Sequence, residues 1–143
     1  MVQGLDGWEM TCEVLAALIS WAVHFSGYPQ PTVQPTVQYK AHEFFKREAC
    51  DGYPCDVLGW YRDDGVIYMD DRFKDRDDSF AASLMVHELV HFLQHQSGKF
   101  SRRSCADNMD REKEAYRVQN DYLVSVGNPA LVFHLPPGCP PGA

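Results

Sequence analysis

HELVHFLQHQSGKF, His87 to Phe100, admits two readings: a metal-binding catalytic helix, or an ordinary amphipathic helix that happens to carry histidines. Residues four apart on an α-helix are separated by about 40° of rotation and about 6 Å of rise. His87 and His91 therefore project from one face, one turn apart, where two imidazoles can share one tetrahedral Zn2+ through bonds of about 2.0–2.1 Å. Glu88 lies roughly 100° around the helix from His87. From there it can reach a water held by the metal without becoming a ligand, take its proton and deliver it to a leaving amine. In the plainer reading the histidines are satisfied core or surface groups and Glu88 is a solvated charge. The surroundings favour the metal site. Asp77, Asp78 and Ser79 offer an N-cap, an apolar-periodic helix is predicted from about Phe80 to Gln96, and Gly98 stands where a helix commonly stops. On that helix Met85, Leu89, Phe92 and Leu93 can face a core, while Leu84, His87, Glu88 and His91 line a site.

A catalytic zinc usually takes three protein ligands and keeps one position for water. Gln94 and Ser97 occupy the positions where the metzincin pattern needs glycine and histidine, so that class is excluded. His95 continues the row one turn further on, and a straight helix does not bring it to the same ion; a solvated place or one behind the ligands is expected for it. The remaining candidates lie on a last helix, predicted from about Asp110 to Val126, whose apolar positions are Ala115, Val118, Tyr122, Leu123 and Val126. Glu112 falls on that apolar face, and Glu114 at its edge with Asp121 and Ser125. A buried carboxylate is costly unless paired or metal-bound, which favours Glu112 as third ligand, with Glu114 as the alternative and Asp107 and Asp110 as outsiders.

HELVH followed by EKEAY resembles the gluzincin metallopeptidases, whose third zinc ligand is a glutamate on a helix beyond HExxH. The similarity is to an HExxH…ExxA arrangement found in membrane-bound peptidases and in small bacterial zincins of unknown function. It covers roughly Val66 to Tyr122. The resemblance implies an α+β, zincin-like fold in which the active-site helix packs on a C-terminal helix beside a small β-hairpin or sheet. It implies His87, His91 and Glu112 as Zn2+ ligands, Glu88 as catalytic acid/base and a peptide or protein as substrate. Such families often carry Asp four residues after the ligand glutamate, holding a histidine in orientation. Here that position is Tyr116, so either its hydroxyl or Gln119 is expected to take the role. Tyr116, Tyr122, His95 and Arg117 are all candidates to stabilise the oxyanion. Zincins also pair an extended substrate with an exposed strand above the active-site helix, and Val66–Asp70 is the candidate for it, a plain core hairpin being the alternative.

That strand belongs to VLGWYRDDGVIYMDDRF, where two β-rich runs, Val57–Tyr61 and Val66–Met69, flank Asp63-Asp64-Gly65, a strong hairpin signal. Upstream, VLAALISWAVHF from Val14 places Leu15, Leu18, Ile19, Ala22 and Val23 at helical spacing, a core helix ending near Gly27 within residues 1–30. The stretch is too short for a membrane span, is interrupted by His24, and lacks the basic start and small-residue cleavage site of a signal peptide. PTVQ then occurs twice, at 31–38, and its prolines predict an extended arm. Tyr39 to Cys50 returns to helical character, with Phe44 and Phe45 as core candidates. The tail 134–143 is rich in Pro and Gly and is expected to run irregularly.

The 143 residues suit one domain, a minimal catalytic core at 57–126 with little room for a second substrate-gripping unit. Loose specificity, or work beside a protein partner, follows from that size. A hydrophobic fraction of 45% argues for a folded chain, and a formal charge of −7 makes nucleic acid an improbable partner, since phosphate tracking needs a basic stripe. Of the five cysteines, Cys50–Cys55 and Cys105–Cys139 are the expected bridges, leaving Cys12 unpaired; all five reduced is the alternative. The pairing points to an oxidising compartment, secreted or periplasmic. The leading functional expectation is a small zinc metallopeptidase, and the alternative is a zincin-like metal-binding interaction domain without peptidase activity.

Overall fold

A computed structural model describes residues 10–128, 131–133, 135 and 137–141. Along the chain come α1 (Cys12–Ser26), β1 (Thr36–Lys40), α2 (His42–Ala49), β2 (Gly59–Tyr61), β3 (Val66–Asp70), a 3-10 turn (Asp71–Phe73), α3 (Ser79–Ser97) and α4 (Cys105–Ser125). The architecture is α+β, four helices with one small mixed sheet.

The helix of HELVH is α3, and its ends follow from its caps. The Asp78 carboxylate accepts the N–H of Ala81 at 2.8 Å, and Gly98 closes the helix at φ +77°, a left-handed conformation that glycine adopts without strain. Every position from Met85 to Gln94 is buried, because α1, α4 and the sheet cover α3 from three sides. Leu15, Leu18, Ile19 and Ala22 of α1 meet Met85, Leu89 and Phe92 of α3, with Ile67 and Met69 of β3 and Ala115 and Val118 of α4 completing the core. Each such fully buried Leu, Ile, Val, Met or Phe side chain stabilises the fold by about 1.5–3 kcal/mol, and the alanines by less. Val23 is only partly buried, and Val126 lies beyond the end of α4.

The expected hairpin is present as β2 and β3, and a third strand, β1, joins it. β3 is the central strand of the sheet: β2 pairs antiparallel on one side, Gly59 opposite Met69, and β1 pairs parallel on the other, Thr36 opposite Val66. Val66–Asp70 therefore has no free edge to offer a substrate, and among the described residues the open edge next to α3 belongs to β2. The cause is the second PTVQ copy. Thr36, Val37 and Tyr39 favour extended, half-buried backbone, and Pro35 stands just outside the strand, so the extended arm docks as β1 instead of running free. Helix α2 starts at His42 accordingly. The β2–β3 turn uses positive φ at Asp63 (+64°) and Gly65 (+77°), and Asp64 accepts the N–H of Val66 at 3.0 Å.

Helix α4 begins about a turn earlier than its apolar pattern suggests. Ser104 caps it, accepting the N–H of Asp107 at 3.0 Å, while the buried Asp107 accepts the N–H of Arg102 at 3.1 Å. The polar run before Asp110 is thus capping chemistry rather than loop. Disulfides join Cys50 to Cys55 and Cys105 to Cys139, and Cys12 is free and exposed. The second bridge ties the irregular tail to the start of α4; residues 1–9 of the N-terminal segment, and 134, 136, 142 and 143 of the tail, lie outside the described residues. Among the described residues no helix is long and apolar enough to cross a membrane.

Candidate metal centre

Packing of α4 along α3 brings together three side chains from the two helices. His87 Nε2 lies 3.0 Å from one oxygen of Glu112, His91 Nε2 lies 3.1 Å from the other, and the two Nε2 atoms are 3.2 Å apart. Atoms bound to one tetrahedral zinc at about 2.05 Å stand about 3.3 Å from one another, so these separations approach the edges of such a coordination shell. His87, His91 and Glu112 form a group able to hold a metal ion.

The protonation pattern points the same way. His87 Nδ1 donates to Gln119 Oε1 at 2.9 Å, and His91 Nδ1 donates to Gln94 Oε1 at 2.8 Å. The orientation of both amides is set by acceptors behind them. Gln94 Nε2 donates to the Arg111 carbonyl at 3.0 Å and to Glu114 at 3.1 Å, neither of which can return a proton. Gln119 Nε2 donates to Ser83 Oγ at 3.1 Å, whose own hydrogen goes to the Phe80 carbonyl at 2.7 Å. An imidazole with its proton on Nδ1 presents a lone pair at Nε2. Two such lone pairs and a carboxylate then face one another in a largely buried space, an arrangement that is costly unless a metal ion or a proton lies between them.

In the metal-free protein a proton serves. Burial pulls the His91 imidazolium down, but its bond to Glu112 and the Glu112 and Glu88 charges outweigh that and raise it to about 9. Burial pushes the Glu112 carboxyl up, yet the bonds from His87 and His91 hold it well below the usual carboxylate range.

Glu88 is buried beside this group. Burial pushes its carboxyl up, against the pull of His87 and His91, and the Tyr61 backbone N–H donates to it. A Cβ on Gly59 would stand 3.1 Å from Glu88 Cγ and 3.2 Å from its Oε2, so β2 runs closely over the Glu88 side chain. The centre opens into a cleft of about 950 Å3 lined by His87, Glu88, His91 and Glu112, by Val57 to Asp63 along β2, and by Tyr116.

The remaining sequence candidates separate cleanly. The Tyr116 ring packs edge-on against His87, with centroids 4.5 Å apart, and burial followed by the Glu112 and Glu88 charges pushes its hydroxyl up to about 12. Gln119 rather than Tyr116 holds His87. His95 bonds the Tyr61 hydroxyl at 2.6 Å and stands 4.0 Å from Asp63, away from the three ligands. Glu114, the alternative third ligand, is occupied by the Tyr28 hydroxyl, Gln94 and Lys99. Tyr122 is buried against Trp21, and Arg117 bonds the Phe25 carbonyl and Asp121 on the exposed side of α4. Asp107 is engaged by Arg102.

Gln94, Ser83 and Tyr28 are participants that the sequence reading did not identify. A signal was present for two of them: Ser83 and Gln94 are polar residues inside a helix otherwise buried by apolar side chains. Compared with protein families, curated proteins and solved structures, the chain matches none.

Proposed function

We propose that this protein is a small zinc metallopeptidase of gluzincin type on a zincin-like fold. The observation that carries the reading is the convergence of His87 Nε2, His91 Nε2 and the Glu112 carboxylate within 3.0–3.2 Å of one another, with both imidazole tautomers set by buried amides. Zinc is the metal we favour, since two imidazoles and one carboxylate with room for a water is a ligand set it uses in hydrolysis, where it acidifies the water and polarises the scissile carbonyl.

The chain's own groups divide the remaining work. Glu88, pushed up by burial and placed beside the ligands, accepts the proton of the attacking water and passes it to the leaving nitrogen. Tyr116 is the oxyanion donor we favour: it lines the cleft against His87, while His95, Tyr122 and Arg117 are engaged elsewhere. Among the described residues β2 keeps an unpaired edge on the cleft wall, and it offers an extended peptide its backbone groups other than the Tyr61 N–H, which Glu88 holds, in place of β3, whose two edges are paired. A peptide or protein segment is the substrate this geometry suits. The two disulfides support a secreted or periplasmic location.

The test is Glu88→Gln. Zinc content should equal that of the native protein while cleavage of a denatured protein substrate falls by about 10²–10⁴-fold, the range a positioned general base supplies. Equal zinc and equal, or equally absent, cleavage in the two proteins would leave only the metal-binding interaction domain.

A further inference from the structure

We propose that Glu114 is a positioning residue of the metal centre, acting through the Gln94 amide to hold His91 in the tautomer that leaves Nε2 to the ion. The inference rests on the metal-centre reading above and extends it one layer outward, to a residue that touches neither ligand nor substrate.

Gln94 is 1% exposed and has two N–H groups to place. One goes to the Arg111 carbonyl at 3.0 Å and the other to Glu114 Oε1 at 3.1 Å, while its own oxygen receives His91 Nδ1–H at 2.8 Å. Turned over, the amide would set its oxygen against two acceptors and its N–H groups against the Nδ1–H of His91, exchanging three bonds for three repulsions. Glu114 is the charged member of that pair, and a bond to a carboxylate is roughly twice as strong as one between neutral groups. It is itself held from two sides, by the Tyr28 hydroxyl just past α1 and by Lys99 Nζ at 3.1 Å in the α3–α4 loop. The support of His87 differs: Gln119 leads to Ser83 and ends on the Phe80 carbonyl within α3, with no charge in the chain. The two ligand imidazoles are therefore unequally supported, and the charged arm, reaching α1, serves His91 alone.

A charge-swap cycle on the full chain tests this, reading Zn2+ affinity by chelator competition and the visible absorption of the Co2+-substituted protein. Gln94→Glu sets a second carboxylate against Glu114 and is expected to weaken Zn2+ binding by about 10–100-fold, the usual scale for a group orienting a ligand histidine. Glu114→Gln, nearly isosteric and at a largely covered side chain, should lower affinity by about three- to tenfold and shift the Co2+ bands. The double variant Gln94→Glu with Glu114→Gln restores one amide facing one carboxylate, in reversed order, and should bind Zn2+ more tightly than Gln94→Glu alone, a coupling that additive sites do not show. Additive losses in the double variant, or a Glu114→Gln protein with native affinity and native Co2+ bands, overturn the proposal. Should the Gln94→Glu proteins not fold, the Glu114→Gln spectrum and affinity decide alone. A native protein that takes up neither Zn2+ nor Co2+ defeats the metal-centre reading itself, a result distinct from a native protein that binds both and is indifferent to Glu114.

Discussion

His91 holds a proton in the metal-free protein only because Glu112 and Glu88 outweigh its burial, and this has consequences that can be measured. Its pKa rises from an ordinary 6.5 to about 9 on folding. The stabilisation that shift represents is complete below pH 6.5 and disappears as pH climbs through 9, so metal-free protein should lose stability across that window. A metal must displace the same proton. Zinc uptake at pH 7 should therefore release a proton, detectable from the buffer dependence of the binding heat, and affinity should weaken as pH falls; uptake without release would contradict the arrangement. Tyr116→Phe tests the oxyanion assignment, with kcat expected to fall about 10²–10³-fold and zinc content unchanged. At this scale His87, Glu88 and His91 were legible because helical spacing alone puts them together, and Glu112 because a carboxylate on an apolar face needs a reason. Gln94 stood out only as a polar residue in an apolar helix, and Tyr28 not at all, since their roles depend on the acceptors that α4 brings to them, the Arg111 carbonyl and the Glu114 carboxylate.

Between elements, the close passage of β2 over α3 is where the cleft is made. Gly59 leaves 3.1 Å from a would-be Cβ to both Glu88 Cγ and Met69 Sδ, tight contacts with flexible side chains that can yield slightly. Gly59→Ala should displace Glu88, lowering kcat while leaving zinc content native and melting temperature nearly so; native kcat would show that Glu88 has more room than this packing allows. The caps of α3, the glycine stop of α1 at Gly27, the β2–β3 turn and most of the inward-facing positions of the helices were readable from local chemistry, Val23, Phe44 and Val126 being the exceptions. Two features were not. The start of α4 was hidden because Ser104 and Asp107 look like loop polarity until the cap bonds form. β1 was hidden because a parallel pairing between Thr36–Lys40 and Val66–Asp70 has no local signature, and it is this pairing that moves the open sheet edge from β3 to β2.

For the molecule as a whole, two bridges of unequal reach secure one core. In the chain-entropy account the Cys105–Cys139 bridge, closing a separation of 34 residues, stabilises the fold by about 4 kcal/mol, and Cys50–Cys55, closing 5, by about 2 kcal/mol. Replacing Cys105 and Cys139 together by Ser should thus cost about twice as much in urea unfolding as the corresponding Cys50/Cys55 change; the reverse order would mean that native-state packing, not chain closure, sets their contributions. The Cys50–Cys55 bridge was legible from the short CDGYPC loop, and Cys105–Cys139 only as a pairing among the cysteines that remained, whereas the burial of α3 on three sides was not legible, because it depends on α1 and α4 meeting across it. The candidate metal centre lies between α3 and α4 on the side facing β2, and it is tested most directly by crystallography of protein purified without added metal, with anomalous data at the zinc edge. One anomalous peak is expected, bonded to His87 Nε2, His91 Nε2 and the Glu112 carboxylate. Strong diffraction with no peak there, or a peak whose third protein ligand is not Glu112, would contradict that assignment.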